Sequence, residues 1–131
     1  KSLNKVIQNK IDQGNYYQKL LNKFDDLLET PRIEFQGSMN HYWVFGVTLR
    51  KEGIRDSVMN EMLKKGIETR PFFWPLHLQP SLPEKFRNKN NELKVSEYIG
   101  ANGFYIPLGS HITKKTQKKI ISEMVEIIRN H

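Results

Sequence analysis

Pro71, Pro75 and Pro80 fall within ten residues and enclose Phe72, Phe73, Trp74 and His77, and no other stretch of this 131-residue chain narrows the backbone's choices as much. Proline fixes φ and lacks an N–H, so the segment can begin as an edge strand but continues neither as a central strand nor as helix. It leaves the sheet as a shaped loop. Three consecutive rings on extended backbone alternate faces, so at least one of them is turned to a cleft or a partner rather than to a core.

Around this loop the apolar spacing is regular. Leu3, Ile7, Ile11, Gly14, Tyr17, Leu21, Phe24 and Leu28 step by three or four, which predicts one long amphipathic helix over residues 2–29, with Gly14 as a point of close packing or slight bend. Thr30-Pro31 ends it, and the turn residues Gly37-Ser38 follow a short extended piece. Trp43, Phe45, Val47 and Leu49 then alternate with Tyr42, Val44, Gly46 and Thr48. Both sets are largely apolar, so this strand is expected to be central, with Trp43 and Phe45 in the core.

Ile54, Val58, Met59, Met62 and Leu63 predict a helix over 54–65 with Gly66 as its cap, followed by a strand over residues 67–72. The pairing of the two strands, parallel or antiparallel, stays open. Residues 79–93 are polar and proline-containing and are expected to be the least ordered. Residues 95–101 predict a short helix and 104–107 a short strand; Thr113 is the expected N-cap of a last helix with Ile120, Ile121, Met124, Val125 and Ile128 on its inner stripe. The sum is an α+β fold: a small three- to four-stranded sheet with helices packed mainly on one face and a long N-terminal helix.

Net charge is +7, which raises nucleic acid as a partner, yet only residues 113–131 concentrate it, at +3, on lysines that fall off the apolar stripe. That is a solvated face rather than a basic binding stripe, and an RNA-recognition sheet is set aside. No apolar run nears the ~20 residues of a membrane span, and the start lacks the apolar core of a signal peptide. Without cysteine there is no disulfide, thiol nucleophile or thiolate metal site, in agreement with a cytoplasmic setting. His41, His77, His111 and His131 show no metal-ligand spacing.

Six pieces occur in a telling order: the amphipathic first helix, His41-Tyr-Trp-Val-Phe-Gly-Val-Thr-Leu49, Arg55-Asp56 running into Gly66-Ile-Glu-Thr-Arg70, Pro75-Leu-His77, Ser96-Glu-Tyr-Ile-Gly-Ala-Asn-Gly-Phe-Tyr-Ile-Pro-Leu108, and the Thr113-led helix. Together they resemble the small C-terminal domain of the DegT/StrS-type sugar-nucleotide aminotransferases, which are fold-type-I pyridoxal-phosphate enzymes. The resemblance implies that residues 1–30 are a helix connecting to a large domain and that residues 31–131 are the small domain. It also implies a parent protein that moves an amino group from glutamate to a keto-deoxysugar carried on a nucleotide diphosphate, for surface polysaccharide, as a homodimer. The Schiff-base lysine of that family lies before the matched region. The chain is therefore expected to be a fragment that binds no pyridoxal phosphate and is inactive alone, with no catalytic residue of its own.

Four residues are the candidate substrate contacts. His77, on a proline-bounded loop beside rings, can hydrogen-bond a sugar hydroxyl or a phosphate, or instead tie the loop to a backbone carbonyl. Arg70 can grip a carboxylate or diphosphate bidentately, or pair with Glu68. Phe73 and Trp74 can stack on a sugar or base, or fill a seam between domains. Asn102 and Tyr105 are read as structural, and His111 and His131 as surface positions. The alternative function is a non-catalytic interaction or assembly module using the same rings.

Overall fold

A computed structural model describes residues 2–83 and 93–131. Helix α1 (Ser2–Leu21) leads into strand β1 (Leu28–Glu29), a hairpin of β2 (Glu34–Phe35) and β3 (Ser38–Met39), and the main strand β4 (Phe45–Leu49). Helix α2 (Arg55–Lys64), strand β5 (Arg70–Pro71), a 3-10 turn at Leu76–Leu78, helix α3 (Lys94–Asn102), strand β6 (Gly103–Ile106) and helix α4 (Lys114–Asn130) complete it. The α+β expectation holds. The four-stranded sheet has the order β1-β4-β6-β5 with every pairing antiparallel. Strands β4 and β5 thus run the same way with β6 inserted between them, which answers the question of pairing left open by the sequence.

All five residues of β4 are buried, as a central strand requires. By the two-residue period, Phe45, Val47 and Leu49 share one face with Phe104 and Ile106 of the paired β6. They form one apolar cluster with Tyr17 and Leu21 of α1, Val58 and Met62 of α2, and Ile120, Met124 and Ile128 of α4. Gly46 and Gly103 lie on the opposite face. A Cβ at Gly46 would sit 2.3 Å from the Phe72 ring, and at Gly103 2.1 Å from it, so the two glycines make the bed in which that ring lies.

Two expectations fail locally. The first helix ends at Leu21, eight residues before the expected end at 29. Asn22, Asp25 and Asp26 hydrogen-bond backbone more readily in turns than in helix, and the amides of Phe24, Leu27 and Leu28 close successive turns onto Leu21 and Phe24. Leu28 keeps its place in the core as a strand residue opposite Leu49. Trp43 is 72 % exposed instead of buried. Tyr42 adopts φ +49, a left-handed conformation that turns its own ring inward against Phe45 and throws Trp43 outward, so the alternation begins at Phe45.

The hairpin at Gln36-Gly37 was legible only as a turn; positive φ at both residues (+50 and +78) gives it the tight two-residue geometry. Of the expected strand 67–72 only Arg70–Pro71 joins the ladder, with Phe72 N adding a bond to Gly103 O; Pro107, which would face Glu68 in this register, offers no N–H to carry the pairing further. Helix α2 ends as expected at Gly66, φ +76, with Gly66 N donating to Leu63 O and Ile67 N to Met62 O, a Schellman closure. Thr113 caps α4 by accepting from Thr116 N. Gly14 packs closely: a Cβ there would fall 2.2 Å from the Tyr42 ring. Of the stretch expected to be least ordered, residues 84–92 lie outside the described residues.

Candidate functional site

The loop after β5 divides its rings between two environments. Phe72 turns inward onto Gly46 and Gly103 and meets Tyr105 edge-on at 4.7 Å. Phe73 turns outward and is 71 % exposed, with its ring nearly parallel to that of Trp43 (13°, centroids 6.4 Å) and edge-on to Tyr105 at 6.1 Å. These three rings form a shelf at one end of the sheet. Burial raises the Tyr105 phenol above its usual pKa, and a hydrogen bond with the Phe73 backbone partly offsets that.

The shelf is braced from behind. Pro75 is buried against Gly100, where a Cβ would meet the proline ring at 2.7 Å. Trp74 is half-exposed; its indole N–H donates to Leu78 O at 3.3 Å, and Gln79 Nε2 donates to Trp74 O at 3.1 Å. His77 Nε2 lies 2.8 Å from Glu97 Oε1, and its side chain is only 12 % exposed. The imidazole ties the 3-10 turn to α3 through a carboxylate, rather than to a backbone carbonyl. Glu97 was not singled out in the sequence; its place in the first turn of α3, opposite the only histidine of the loop, was the available signal.

Beside the shelf lies a groove of about 620 Å3. One wall is the stretch from Lys65 to Arg70, the other is Tyr105 to Leu108 with His111 and Ile112, and Trp43 joins the groove to the shelf. It opens where the β5–β6 ladder stops. Its cations are partly engaged: Lys65 pairs with Glu123, which raises the lysine's pKa and lowers that of the carboxylate, chiefly through their hydrogen bond. Arg70 reaches Glu68 at 3.4 Å with both side chains largely exposed, a contact loose enough to exchange. His111, read from sequence as a mere surface position, stands on the groove lining with Lys119.

The four candidate contacts are therefore not gathered at one point. Arg70 lines the groove, Phe73 forms the shelf and one side of a second, shallower depression with Val95 and Ile99, and Trp74 and His77 line neither of these concavities. Trp43, read from sequence as core, and Tyr105, read as structural, both stand on the shelf and line the groove. The signal for Trp43 was Asn40, whose Oδ1 accepts from Tyr42 N at 2.8 Å in an Asx-type turn that redirects the chain. Asn102 is structural: it is buried, donates to Tyr98 O and accepts from Gly53 N.

The sequence profile described as the DegT/DnrJ/EryC1/StrS aminotransferase family matches residues 1–125. The chain belongs to this family. A GDP-perosamine synthase of Caulobacter vibrioides is 25 % identical over 116 residues, covering 86 % of this chain and 30 % of that protein. Another GDP-perosamine synthase, from Escherichia coli O157:H7, is 27 % identical over 101 residues, covering 77 % of this chain and 26 % of the relative. The fold is shared with the aminotransferase TlmJ from Streptoalloteichus hindustanus (TM-score 0.82, 18 % identity, 98 % of this chain and 33 % of that one). It is also shared with NtdA from Bacillus subtilis, solved with bound cofactor PMP (TM-score 0.79, 15 % identity, 95 % of this chain and 28 % of that one). The chain spans less than a third of the length of the curated relatives it matches.

Family membership raises the fit of pyridoxal phosphate. Its aldehyde needs an amine held away from bulk water, and every described lysine of this family member is exposed except Lys10, whose Nζ donates to Trp43 O at 2.8 Å. Among the described residues no lysine stands in such a setting.

Proposed function

We propose that this chain is the C-terminal domain of a pyridoxal-phosphate-dependent nucleotide-sugar aminotransferase that moves an amino group from glutamate to a keto-deoxysugar in surface polysaccharide biosynthesis. The observation that carries this is the family match over residues 1–125 in a chain spanning under a third of its relatives. The lysine-bearing large domain is then the missing partner, and the fragment is inactive alone. The parent is a cytoplasmic homodimer in this account, with neither nucleic acid nor membrane as partner.

The domain's contribution is orientation. Phe73, with Trp43 beside it, offers exposed ring faces to a sugar or base, and Trp74 extends that surface. Arg70 supplies a guanidinium on the adjoining groove wall, where the Glu68 contact is exchangeable for a diphosphate or carboxylate. His77 positions substrate by holding the loop. Helix α1 makes the connection: its second half buries Gln13, Gly14, Tyr17 and Leu21 in this domain, while Leu3 and Val6 in the first half are exposed and face the large domain.

The test is co-expression with the lysine-bearing part of the parent. Association, a yellow cofactor-absorbing complex and glutamate-dependent amination of a keto-sugar nucleotide are expected. Turnover by the 131 residues alone, or two parts that never associate, would refute the reading and favour a non-catalytic assembly module.

A further inference from the structure

We propose that Gln13 is a positioning residue that sets one wall of the groove from α1. It is buried within an otherwise apolar helix face, and its side-chain amide is fully used. Nε2 donates to Gly109 O at 2.7 Å and to Ile112 O at 2.9 Å, while Oε1 accepts from Gly109 N at 3.1 Å. Both amide hydrogens and the carbonyl oxygen thus close on one short loop, which no apolar or charged side chain of that size reproduces. One turn further along α1, Tyr17 Oη donates to Pro107 O at 2.7 Å. Gln117 of α4, also buried, donates to Gln13 O at 2.9 Å and locks the helix pair behind the latch.

The loop so held is the groove wall itself, since Pro107, Leu108, His111 and Ile112 all line it. The facing wall hangs from α2 through Gly66 and has no such tie to α1 among the hydrogen bonds described. The walls meet where Arg70 pairs with Tyr105, and the facing one is tied to α4 by Lys65–Glu123; away from that junction the place of the Gly109–Ile112 loop, and with it the width of the groove, follows α1 through Gln13. The proposed function enters only in giving the groove its purpose. The geometry is testable in the chain alone, so a failed cofactor complex and a failed latch are separate results.

Because the chain has no cysteine, Glu68→Cys on one wall and Ser110→Cys in the loop between the lining residues Leu108 and His111 of the other place nitroxide labels uniquely, at exposed positions. Pulsed electron-electron distances should be narrowly distributed in the doubly labelled chain and shifted or broadened when Gln13→Leu is added. Amide exchange at Gly109 should quicken roughly tenfold or more as its acceptor is lost. The control is Gln18→Leu on the same helix, which removes a comparable amide latch, to Pro31 O and Thr30 Oγ1, away from the groove. It should leave the wall distance unchanged. If Gln13→Leu does not fold, Gln13→Asn shortens the same amide by one methylene and is expected to move the distance in the same way. An unchanged distance in the folded Gln13 variant, or an equal change in Gln18→Leu, would overturn the proposal.

Discussion

Phe45 and Trp43 are two residues apart, yet one is fully buried against Tyr17 and Tyr42 and the other is among the most exposed large side chains of the molecule. The contrast extends to the regions they represent. The helix-covered face of the sheet is a finished core, with α1, α2 and α4 closing over β4 and β6. The edge at Trp43, Phe73 and Trp74 is unfinished: the loop that carries Phe73 and Trp74 is braced through Phe72 on its glycine bed and through the Trp74 and His77 hydrogen bonds, but these three rings are not covered. On the proposed reading, these uncovered rings are a surface held ready for contact.

The largest effect that sharpens this contrast is on the core side. Phe45→Ala should cost about 3–5 kcal/mol in urea denaturation, through lost burial and an unfilled cavity. Gly103→Ala comes next: a methyl 2.1 Å from the Phe72 ring and 2.6 Å from Ile99 O should cost about 1–3 kcal/mol and displace the ring, measured by denaturation and by the Tyr105 aromatic shifts.

A smaller effect is the pH response of Tyr17, whose pKa burial drives well above the usual value. The folded state holds the proton that the unfolded chain releases at about pH 10. Stability from this group is thus complete below pH 10 and falls by up to about 1.4 kcal/mol per pH unit above it. Tyr42 and Tyr105 shift in the same direction. Tyr17→Phe should flatten the alkaline loss in thermal melts, while costing about 1 kcal/mol at neutral pH for the bond to Pro107 O. Smallest of all, Trp43→Ala should change stability by no more than about 0.5 kcal/mol. A loss comparable to that of Phe45→Ala would erase the distinction between the two regions.

The same contrast marks how much was legible in the sequence. Periodicity found the core because burial imposes it: the stripe on α4, the Gly66 and Thr113 caps and the central β4 all appear where the spacing puts them. It overran the end of α1 because Leu28 satisfies helical and strand spacing alike. It misplaced Trp43 because one left-handed residue, Tyr42, resets the alternation, and a tyrosine advertises no such conformation. The prolines announced a shaped loop, and Phe72 inward with Phe73 outward is the division that alternation demands. The polar tie from Gln13 to Gly109, 96 residues on, leaves no local pattern at all.

The chain contains only two tryptophans, Trp43 and Trp74, and both stand at the unfinished edge. Quenching of their fluorescence by acrylamide therefore reports on that edge alone. The account predicts efficient quenching in the isolated chain and strong protection once the lysine-bearing part, cofactor and nucleotide sugar are added. An actively transaminating complex in which both indoles stay as accessible as before would contradict it.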